Sequence, residues 1–299
     1  MPVRVLIVDD SPTIRRLIRA RIDADPRLVA VGEAFDPFDA REKIKALNPD
    51  VLTLDVEMPR MDGIAFLEKL MRLRPMPVVM VSTLTHRGSA AALEALSLGA
   101  VDCIGKGSGG DLANSFDTLA DTLVMAASAR PRGTARAPVA PAPADYRWAG
   151  RHVLIGSSTG GVDAIESLLA GYPPLCPPTL ITQHMPAGFL ASFATRLAQR
   201  FAPHIALAYD GAPLEAGHVY LAPGGAHHLA VDVGPIPRCR LIAGDKVNGH
   251  RPSVDVLFDS AQAMAERSLC VLLTGMGRDG ASAMVRMRAL GARCLAQDE

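Results

Sequence analysis

Aromatic residues and net charge are what this sequence has least of. Only 4% of its 299 residues are Phe, Trp or Tyr, and 31 Lys and Arg residues balance 31 Asp and Glu residues. A chain without net charge has no overall electrostatic attraction to nucleic acids or anionic membranes. We therefore expect no nucleic-acid partner. The apolar content of 49% is that of a soluble globular protein.

Long apolar runs and paired cysteines are also lacking. No window approaches the roughly 20 apolar residues that a membrane-spanning helix needs. Residues 1–4 lead directly into a strand pattern, without the layout of a signal peptide. The five cysteines are an odd, scattered set with no C-x-x-C spacing, which argues against a disulfide framework and a zinc site. We expect a cytoplasmic protein with reduced thiols and no membrane insertion.

The length and one change of composition predict two domains. A chain of 299 residues is long enough for two hydrophobic cores. Residues 128–147 are rich in Pro and Ala and lack apolar periodicity, which is typical of a semi-extended linker. We therefore expect a first domain at 1–127, a linker at 128–148 and a second domain at 149–299.

In the first domain, apolar runs alternate with amphipathic segments. We expect strands at 3–8, 28–33, 51–54, 78–82 and 101–104, and helices that start after Ser11 and cover 37–47 and 89–98. This alternation predicts an α/β fold with a doubly wound parallel sheet. Ligands of such sheets bind at the carboxyl ends of the strands. The polar side chains at these ends are Asp9, Asp10, Asp55, Ser82 and Lys106.

Three of these strand-end side chains predict a cation site. Asp9, Asp10 and Asp55 would repel one another unless a hard divalent cation, Mg²⁺ in particular, bound their oxygens. Beside a metal and a lysine, a carboxylate becomes a plausible phosphoryl acceptor. The alternative is that these aspartates only cap helices, which explains one of them better than it explains the set.

Residues 1–127 resemble the receiver domain of two-component response regulators, which has a flavodoxin-like fold. The residues that the resemblance places around Mg²⁺ are Asp9, Asp10, Asp55 and, through its backbone carbonyl, Glu57. The resemblance also implies that Asp55 is phosphorylated, that Ser82 is the switch hydroxyl and that Lys106 pairs with the phosphoryl group. The chain departs from the family pattern twice. Gly107 stands where a proline is usual, and Cys103 stands where many receivers have an aromatic residue.

The stretch at 156–161 organises the second half of the chain. It reads Gly-Ser-Ser-Thr-Gly-Gly, follows the apolar run 153–155 and precedes a helical pattern. A strand, a glycine turn and a helix in this order match the G-x-S-x-G nucleophile elbow, with Ser158 at its apex. The alternative is a turn that cradles phosphate or has a purely structural role.

Two further predicted strand ends carry His184 and Asp279. A serine nucleophile needs a base, and an imidazole base needs a carboxylate to orient it, so the three residues together predict a Ser-His-Asp triad. Each also has a simpler explanation: Ser158 as a helix cap, His184 as one of eight ordinary histidines, and Asp279 as a cap of the following helix. The chain order differs from the Ser, Asp, His order of lipase-type hydrolases.

The rest of the second half predicts a Rossmann-like α/β sheet. We expect strands at 179–183, 205–208, 219–222, 228–231, 240–242, 270–274 and 293–296, and helices after 188, from Ser253 to about 267 and over 281–290. His227 and His228 are not expected to bind metal, because no third ligand is suitably spaced. His250 and Arg251 have two interpretations, as substrate contacts or as packing residues beside a helix that Ser253 caps.

Residues 149–299 resemble the catalytic domain of the chemotaxis protein-glutamate methylesterase. The stretches that carry the resemblance are 155–161, 181–186, 219–224, 250–255 and 273–280. The resemblance implies that Ser158, His184 and Asp279 are the nucleophile, the base and the orienting acid. It places Thr159 and Met276 in support of the active site, with the backbone N–H of Met276 as an oxyanion donor.

The resemblance also implies the reaction and its control. Glutamate γ-methyl esters on methyl-accepting chemotaxis receptors would be hydrolysed to glutamate and methanol, and receptor glutamines would be deamidated, without a cofactor. A chemotaxis histidine kinase would supply the phosphoryl group, and the unphosphorylated receiver would cover the esterase cleft. We expect a monomer.

Two other functions and one feature of the chain end stay open. The second domain is alternatively a non-enzymatic module that sequesters phosphate or a receptor tail, or a hydrolase of a different ester or amide. Family members continue for several tens of residues beyond the last predicted strand, whereas this chain ends at Glu299. We therefore expect the last elements of the esterase sheet to be missing.

Overall fold

A computed structural model describes residues 1–58, 62–83, 86–107, 116–129, 146–275 and 277–297, apart from the side chains of 86–89. The chain divides into two compact units, Met1–Ala137 and Pro138–Glu299, and each unit is described by itself. Most of the predicted linker lies outside the described residues. Among the described residues, no helix has the length and apolar content that a bilayer crossing requires.

The first unit is a five-stranded parallel sheet with helices between its strands. The strands are β1 (Val3–Val8), β2 (Leu28–Ala34), β3 (Val51–Asp55), β4 (Val78–Thr83) and β5 (Asp102–Lys106). The helices are α1 (Pro12–Asp23), α2 (Pro37–Leu47), α3 (Gly63–Leu73), α4 (His86–Ser97) and α5 (Leu119–Ser128). The strand order β2-β1-β3-β4-β5 confirms the predicted doubly wound sheet. The fifth strand lies slightly later than predicted and ends at Lys106.

Local sequence explains why α1 begins where it does. Ser11 adopts an extended conformation and its hydroxyl accepts a hydrogen bond from the Ile14 amide, while Pro12 occupies the first turn, where no amide donor is needed. Ile14, Ile18 and Ile22 recur at helical spacing and are buried against the sheet. Because β1 and β3 pair directly and run parallel, their carboxyl ends, where the acidic residues lie, are beside one another.

The second unit contains a six-stranded parallel sheet and a separate two-stranded sheet. The strands are β6 (His152–Ser157), β7 (Thr179–Gln183), β8 (His204–Leu207), β9 (His218–Leu221), β10 (His227–Asp232), β11 (Arg238–Ala243), β12 (Ser268–Leu272) and β13 (Arg293–Ala296). The helices are α6 (Gly161–Leu169), α7 (Ala187–Arg200), α8 (Val254–Ser260) and α9 (Ala281–Ala289). The order of the large sheet is β13-β12-β6-β7-β9-β8.

Two predictions for the second unit were wrong in detail. The strands predicted at 228–231 and 240–242 do not join the parallel sheet but pair with each other as β10 and β11, antiparallel. A short connection allows antiparallel pairing, whereas a parallel neighbour requires a long crossover. The single helix predicted from Ser253 to about 267 is α8 followed by a 3-10 helix, Gln262–Arg267, with a non-helical backbone at Met264.

The strand order of the large sheet determines where its site lies. β12, β6 and β7 are neighbours and run parallel, so their carboxyl ends meet at one edge. The glycine turn at 156–161 follows β6, His184 follows β7, and the loop with Asp279 follows β12.

Candidate active site and phosphoacceptor site

Of the three residues predicted as a triad, His184 lies within hydrogen-bonding distance of both Ser158 and Asp279. The Ser158 hydroxyl lies 3.2 Å from Nδ1 of His184. On the other side of the ring, Nε2 of His184 lies 2.7 Å from a carboxylate oxygen of Asp279. The histidine therefore bridges the hydroxyl and the carboxylate, as a general base in this chemistry must.

The imidazole presents its two nitrogens in the reverse of the arrangement in chymotrypsin, where Nε2 faces the serine. Here the carboxylate of Asp279 can only accept at Nε2, so it favours the tautomer with a proton on that nitrogen. Nδ1 is then the unprotonated nitrogen, and it faces the Ser158 hydroxyl. This tautomer leaves the base ready to accept the serine proton.

Asp279 lies at the N-terminus of α8. Its carboxylate accepts hydrogen bonds from the Ser253 hydroxyl at 2.7 Å, the Val254 amide at 2.7 Å and the Asp255 amide at 3.1 Å. Burial alone would raise the pKa of Asp279, but the hydrogen bonds from His184, Ser253 and Val254 outweigh burial and hold the pKa well below its usual value. The carboxylate stays ionised and orients the histidine.

The same residue does not cap the helix that follows it. The N-cap position of α9 is Gly280, and no side chain accepts a hydrogen bond there. The simpler explanation for Asp279, a cap of its own helix, therefore does not describe its contacts. Its carboxylate instead accepts a hydrogen bond from the first amide of α8, a helix that is remote in sequence and adjacent in space.

Glycine is required around Ser158 because the loop after β12 packs directly on the nucleophile. The Ser158 amide donates to the Thr274 carbonyl at 3.0 Å. A Cβ on Gly275 would lie 2.6 Å from the Cβ of Ser158, and the φ of Gly275 is +155°. From the other side, the Gln183 side chain donates to the Ser158 carbonyl at 2.8 Å. The serine is therefore held by its backbone on two sides.

Ser158 lines a small cleft. Its volume is about 170 Å³, and Ser158, His184 and Asp279 are among the residues that line it. Apolar side chains, Leu272 and Leu273 among them, form part of the wall. The cleft is large enough for a short ester or amide side chain and a water molecule.

The two predicted supporting residues have different outcomes. Thr159 is buried, and its carbonyl accepts a hydrogen bond from the Thr274 hydroxyl at 3.0 Å, which ties the Ser158 turn to the loop after β12. Met276 lies outside the described residues. Its role as an oxyanion donor stays a prediction.

Two residues of the site, Asn248 and His250, were missed by sequence reasoning or assigned no firm role. Asn248 donates to both Asp279, at 3.1 Å, and Asp255, at 2.6 Å. Its side chain thus links the triad acid to a second carboxylate. The Asn-Gly pair at 248–249 was an available signal, because it is typical of a tight hairpin turn. His250 stacks on the ring of His184.

The neighbouring basic side chains have structural roles. Arg251 donates to the carbonyls of Gly225 and Gly244, so it joins two loops. His228 is buried, accepts from the Ser253 amide at 3.1 Å, and lies 2.8 Å from the Asp245 carbonyl through Nε2. Both ring nitrogens of His228 are thus satisfied within the protein.

In the first unit, the predicted acidic cluster is present. Asp9, Asp10 and Asp55 each place a carboxylate oxygen within 4.8 Å of the others. Nζ of Lys106 lies 3.0 Å from Asp9 and 2.8 Å from Asp55. Burial raises the pKa of Asp55 to about 6, and the charge of Asp9 adds to this effect while Lys106 opposes it. Three hard oxygen donors with incomplete charge compensation fit a Mg²⁺ ion.

Two other predicted receiver residues lie near this cluster, Glu57 two residues after Asp55 in the chain and Ser82 on the strand beside β3. The Glu57 amide donates to the Asp55 carboxylate at 3.2 Å. Ser82 is buried near the end of β4, beside β3 and β5. Cys103 is buried in β5, and burial raises the pKa of its thiol well above the usual value. A thiol of this kind is unreactive at neutral pH.

Comparison with known proteins separates the chain into the same two parts. A family model described as the response regulator receiver domain matches residues 5–114, and one described as CheB methylesterase matches residues 153–299. The protein-glutamate methylesterase/protein-glutamine glutaminase of Rhizobium etli is 55% identical over 302 aligned residues, covering 100% of this chain and 87% of that protein.

A second relative and one solved structure also match. Protein-glutamate methylesterase/protein-glutamine glutaminase 1 of Caulobacter vibrioides is 56% identical, covering 99% of this chain and 88% of that protein. Among solved structures, the Thermotoga maritima CheB methylesterase catalytic domain matches with 35% identity and a TM-score of 0.48, covering 51% of this chain and 82% of that one.

Proposed function

Because the chain belongs to the protein-glutamate methylesterase/protein-glutamine glutaminase family, we propose that it is a serine hydrolase of protein side chains. Its substrates are glutamate γ-methyl esters, hydrolysed to glutamate and methanol, and glutamine amides, hydrolysed to glutamate and ammonia. The observation that carries the proposal is the contact of one imidazole with both the Ser158 hydroxyl and the Asp279 carboxylate.

The first half of the reaction is acylation of the serine. Oγ of Ser158 attacks the γ-carbonyl carbon while Nδ1 of His184 takes the hydroxyl proton. Asp279 stabilises the imidazolium that forms, because its carboxylate remains ionised at the N-terminus of α8. The tetrahedral intermediate then collapses, and the proton on Nδ1 passes to the methoxide as methanol leaves.

The second half is hydrolysis of the acyl-enzyme. A water molecule in the cleft loses a proton to Nδ1 of His184 and attacks the acyl carbon, and Ser158 leaves with that proton. Backbone N–H groups stabilise the oxyanion in both halves, and we assign one of them to Met276. Removal of one such donor costs roughly 3 kcal/mol of transition-state stabilisation in other serine hydrolases.

The first unit controls this activity through phosphorylation of Asp55. Asp9, Asp10 and Asp55, with the carbonyl of Glu57, would hold a Mg²⁺ ion, and the ion would supply charge neutralisation for phosphoryl transfer. The proximity of Lys106 to Asp55 supports its pairing with the phosphoryl group. Ser82, near the end of the neighbouring strand, takes the role of switch hydroxyl. Two receiver states then differ in their effect on the hydrolase.

These assignments support a role in chemotaxis. The methylated substrates are the cytoplasmic helices of methyl-accepting receptors, and the phosphodonor is a chemotaxis histidine kinase. The location that fits these partners is the cytoplasm.

The test is methanol release from methylated receptor membranes, with and without acetyl phosphate. We expect the parent protein to release methanol, the Ser158→Ala variant to lose the activity, and the Asp55→Asn variant to keep basal activity without stimulation. Methanol release by Ser158→Ala would remove serine catalysis from the proposal. Equal stimulation of the parent and of Asp55→Asn would remove control through Asp55.

A further inference from the structure

A second histidine lies flat against the histidine of the triad. The rings of His184 and His250 are 3.7 Å apart between centroids, and their planes differ by 4°. This is a parallel contact at van der Waals distance, and it covers one face of the His184 ring. The edges of that ring, which carry Nδ1 and Nε2, remain directed at Ser158 and Asp279.

The backbone holds His250 in this position through a tight turn. The Val247 amide donates to the His250 carbonyl at 3.0 Å, and the His250 amide donates to the Val247 carbonyl at 2.9 Å. Asn248 and Gly249, between them, have φ values of 52° and 81°. This is the geometry of a two-residue turn that favours Asn-Gly. The His250 ring therefore projects from a fixed turn.

The same turn is attached to the acid of the triad. Asn248 donates to the Asp279 carboxylate at 3.1 Å. One four-residue turn thus contacts two members of the triad, Asp279 through an amide and His184 through an aromatic face. If the His184 ring moved away from Ser158 and Asp279, it would lose its stack on His250, because the turn that carries His250 is bound to Asp279.

The charge state of His250 suits this contact. Burial, together with the nearby His184 and Lys246 and against an opposing effect of Asp279, lowers the pKa of His250 to about 4. His250 is therefore neutral at neutral pH. His184 becomes a cation when it takes the proton of Ser158, and a neutral His250 places no second positive charge against it.

We propose that His250 is a positioning residue whose stacked ring keeps the His184 imidazole aligned between Ser158 and Asp279. The inference rests on the proposed function, since it concerns the base of that reaction. It assigns no contact with substrate to His250. What the site needs from the side chain is a planar ring, so another planar ring should serve, and an aliphatic side chain of similar volume should not.

The test compares His250→Phe with His250→Leu in the full-length protein. The control is His204→Ala, at an exposed histidine that begins β8 and so lies at the end of the parallel sheet opposite the triad. We expect His250→Leu to lose about tenfold or more in kcat, with KM within about twofold of the parent, because misalignment of a base costs rate rather than binding. His250→Phe should stay within about threefold of the parent in kcat. Circular dichroism identifies any variant that fails to fold.

A second readout does not depend on the substrate. The rate at which a fluorophosphonate labels Ser158 requires an aligned base, and it should follow the same order: parent, then His250→Phe, then His250→Leu. If labelling follows this order while methanol release fails even in the parent, the inference stands and only the substrate assignment fails.

Three results would overturn the inference. Equal kcat and labelling in His250→Leu and the parent would show that no stacked ring is needed. Equal losses in His250→Phe and His250→Leu would show that the polar edge of His250 matters rather than its plane. A rise in KM at unchanged kcat would make His250 a substrate contact instead.

Discussion

At the scale of single residues, Gly275 imposes the tightest constraint on the nucleophile. Its missing side chain leaves room for Ser158, because a Cβ would lie 2.6 Å from the Ser158 Cβ and closer than real Cβ contacts come. Gly277 has a similar backbone requirement, with φ at +123°, but no heavy atom within 4 Å of a built Cβ. A side chain at Gly275 would therefore clash with Ser158, whereas a side chain at Gly277 would only strain the backbone.

We predict that Gly275→Ala lowers kcat about a hundredfold, because the alanine displaces Ser158 by a substantial fraction of an ångström. Gly277→Ala carries a strained backbone conformation without that contact and should lose less than tenfold. Methanol release and fluorophosphonate labelling of both variants provide the measurement. Equal losses in the two variants would attribute the effect to backbone conformation rather than to contact with the serine.

At the scale of elements, regular patterns were predictable and local pairing was not. The strand-turn-helix unit at 153–169 was predicted because an apolar run, glycines and a helical period follow one another within a short window. The departure of β10 and β11 from the parallel sheet was not predicted. Strand periodicity is the same in either sheet, and only the partner differs.

The triad shows the same division between local and distant signals. Each of its residues follows a strand, which the sequence indicates, and strand order then brings the three ends together. The contact of Asp279 with the N-terminus of α8 joins segments 25 residues apart along the chain. Hydrophobic periodicity, which reflects only local structure, cannot predict such a contact. The Asn-Gly turn at 248–249 was a readable signal, but nothing in it indicates that its neighbours meet the triad.

The helix α8 also predicts how acid affects the second unit. Against the effect of burial, hydrogen bonds from His184, from the Ser253 hydroxyl and from the Val254 amide at the start of α8 keep the pKa of Asp279 below the usual 3.8. A carboxyl group with a lowered pKa in the folded state contributes stability above the unfolded pKa, and this contribution is lost as the pH falls through the folded pKa. Asp279→Asn lacks the charge and should lack this contribution.

We therefore predict that Asp279→Asn is less stable than the parent by about 2 kcal/mol at pH 7, the size of a hydrogen bond to a charged group. The difference should shrink as the pH falls below about 4. The difference in unfolding free energy is measured by urea unfolding of the full chain between pH 7 and 3. Hydrogen exchange at amides of β6 and β7 detects the unfolding of the second unit. Asp232→Asn, at an exposed aspartate, should show no such trend. A pH-independent difference would contradict the linkage.

At the scale of the whole molecule, the two units carry separate chemistry on the same kind of scaffold. In each, polar side chains gather where neighbouring parallel strands end. The first unit gathers carboxylates and a lysine, which suits a metal and a phosphoryl group. The second gathers a hydroxyl, an imidazole and one carboxylate, which suits attack on a carbonyl carbon. A ligand that binds one of the two sites should therefore stabilise the unit that contains that site more than the other unit.

Mg²⁺ tests this separation. A ligand that binds only the folded state stabilises it by about 2.7 kcal/mol at a hundred times its dissociation constant. We predict that millimolar Mg²⁺ slows hydrogen exchange at amides of β1 and β3 and leaves amides of β6 and β7 unchanged. Asp10→Asn should abolish most of the effect, since Asp10 supplies one of the three carboxylates, whereas Asp23→Asn, an exposed residue at the end of α1, should retain it. Equal protection of both units, or full protection in Asp10→Asn, would place the ion elsewhere.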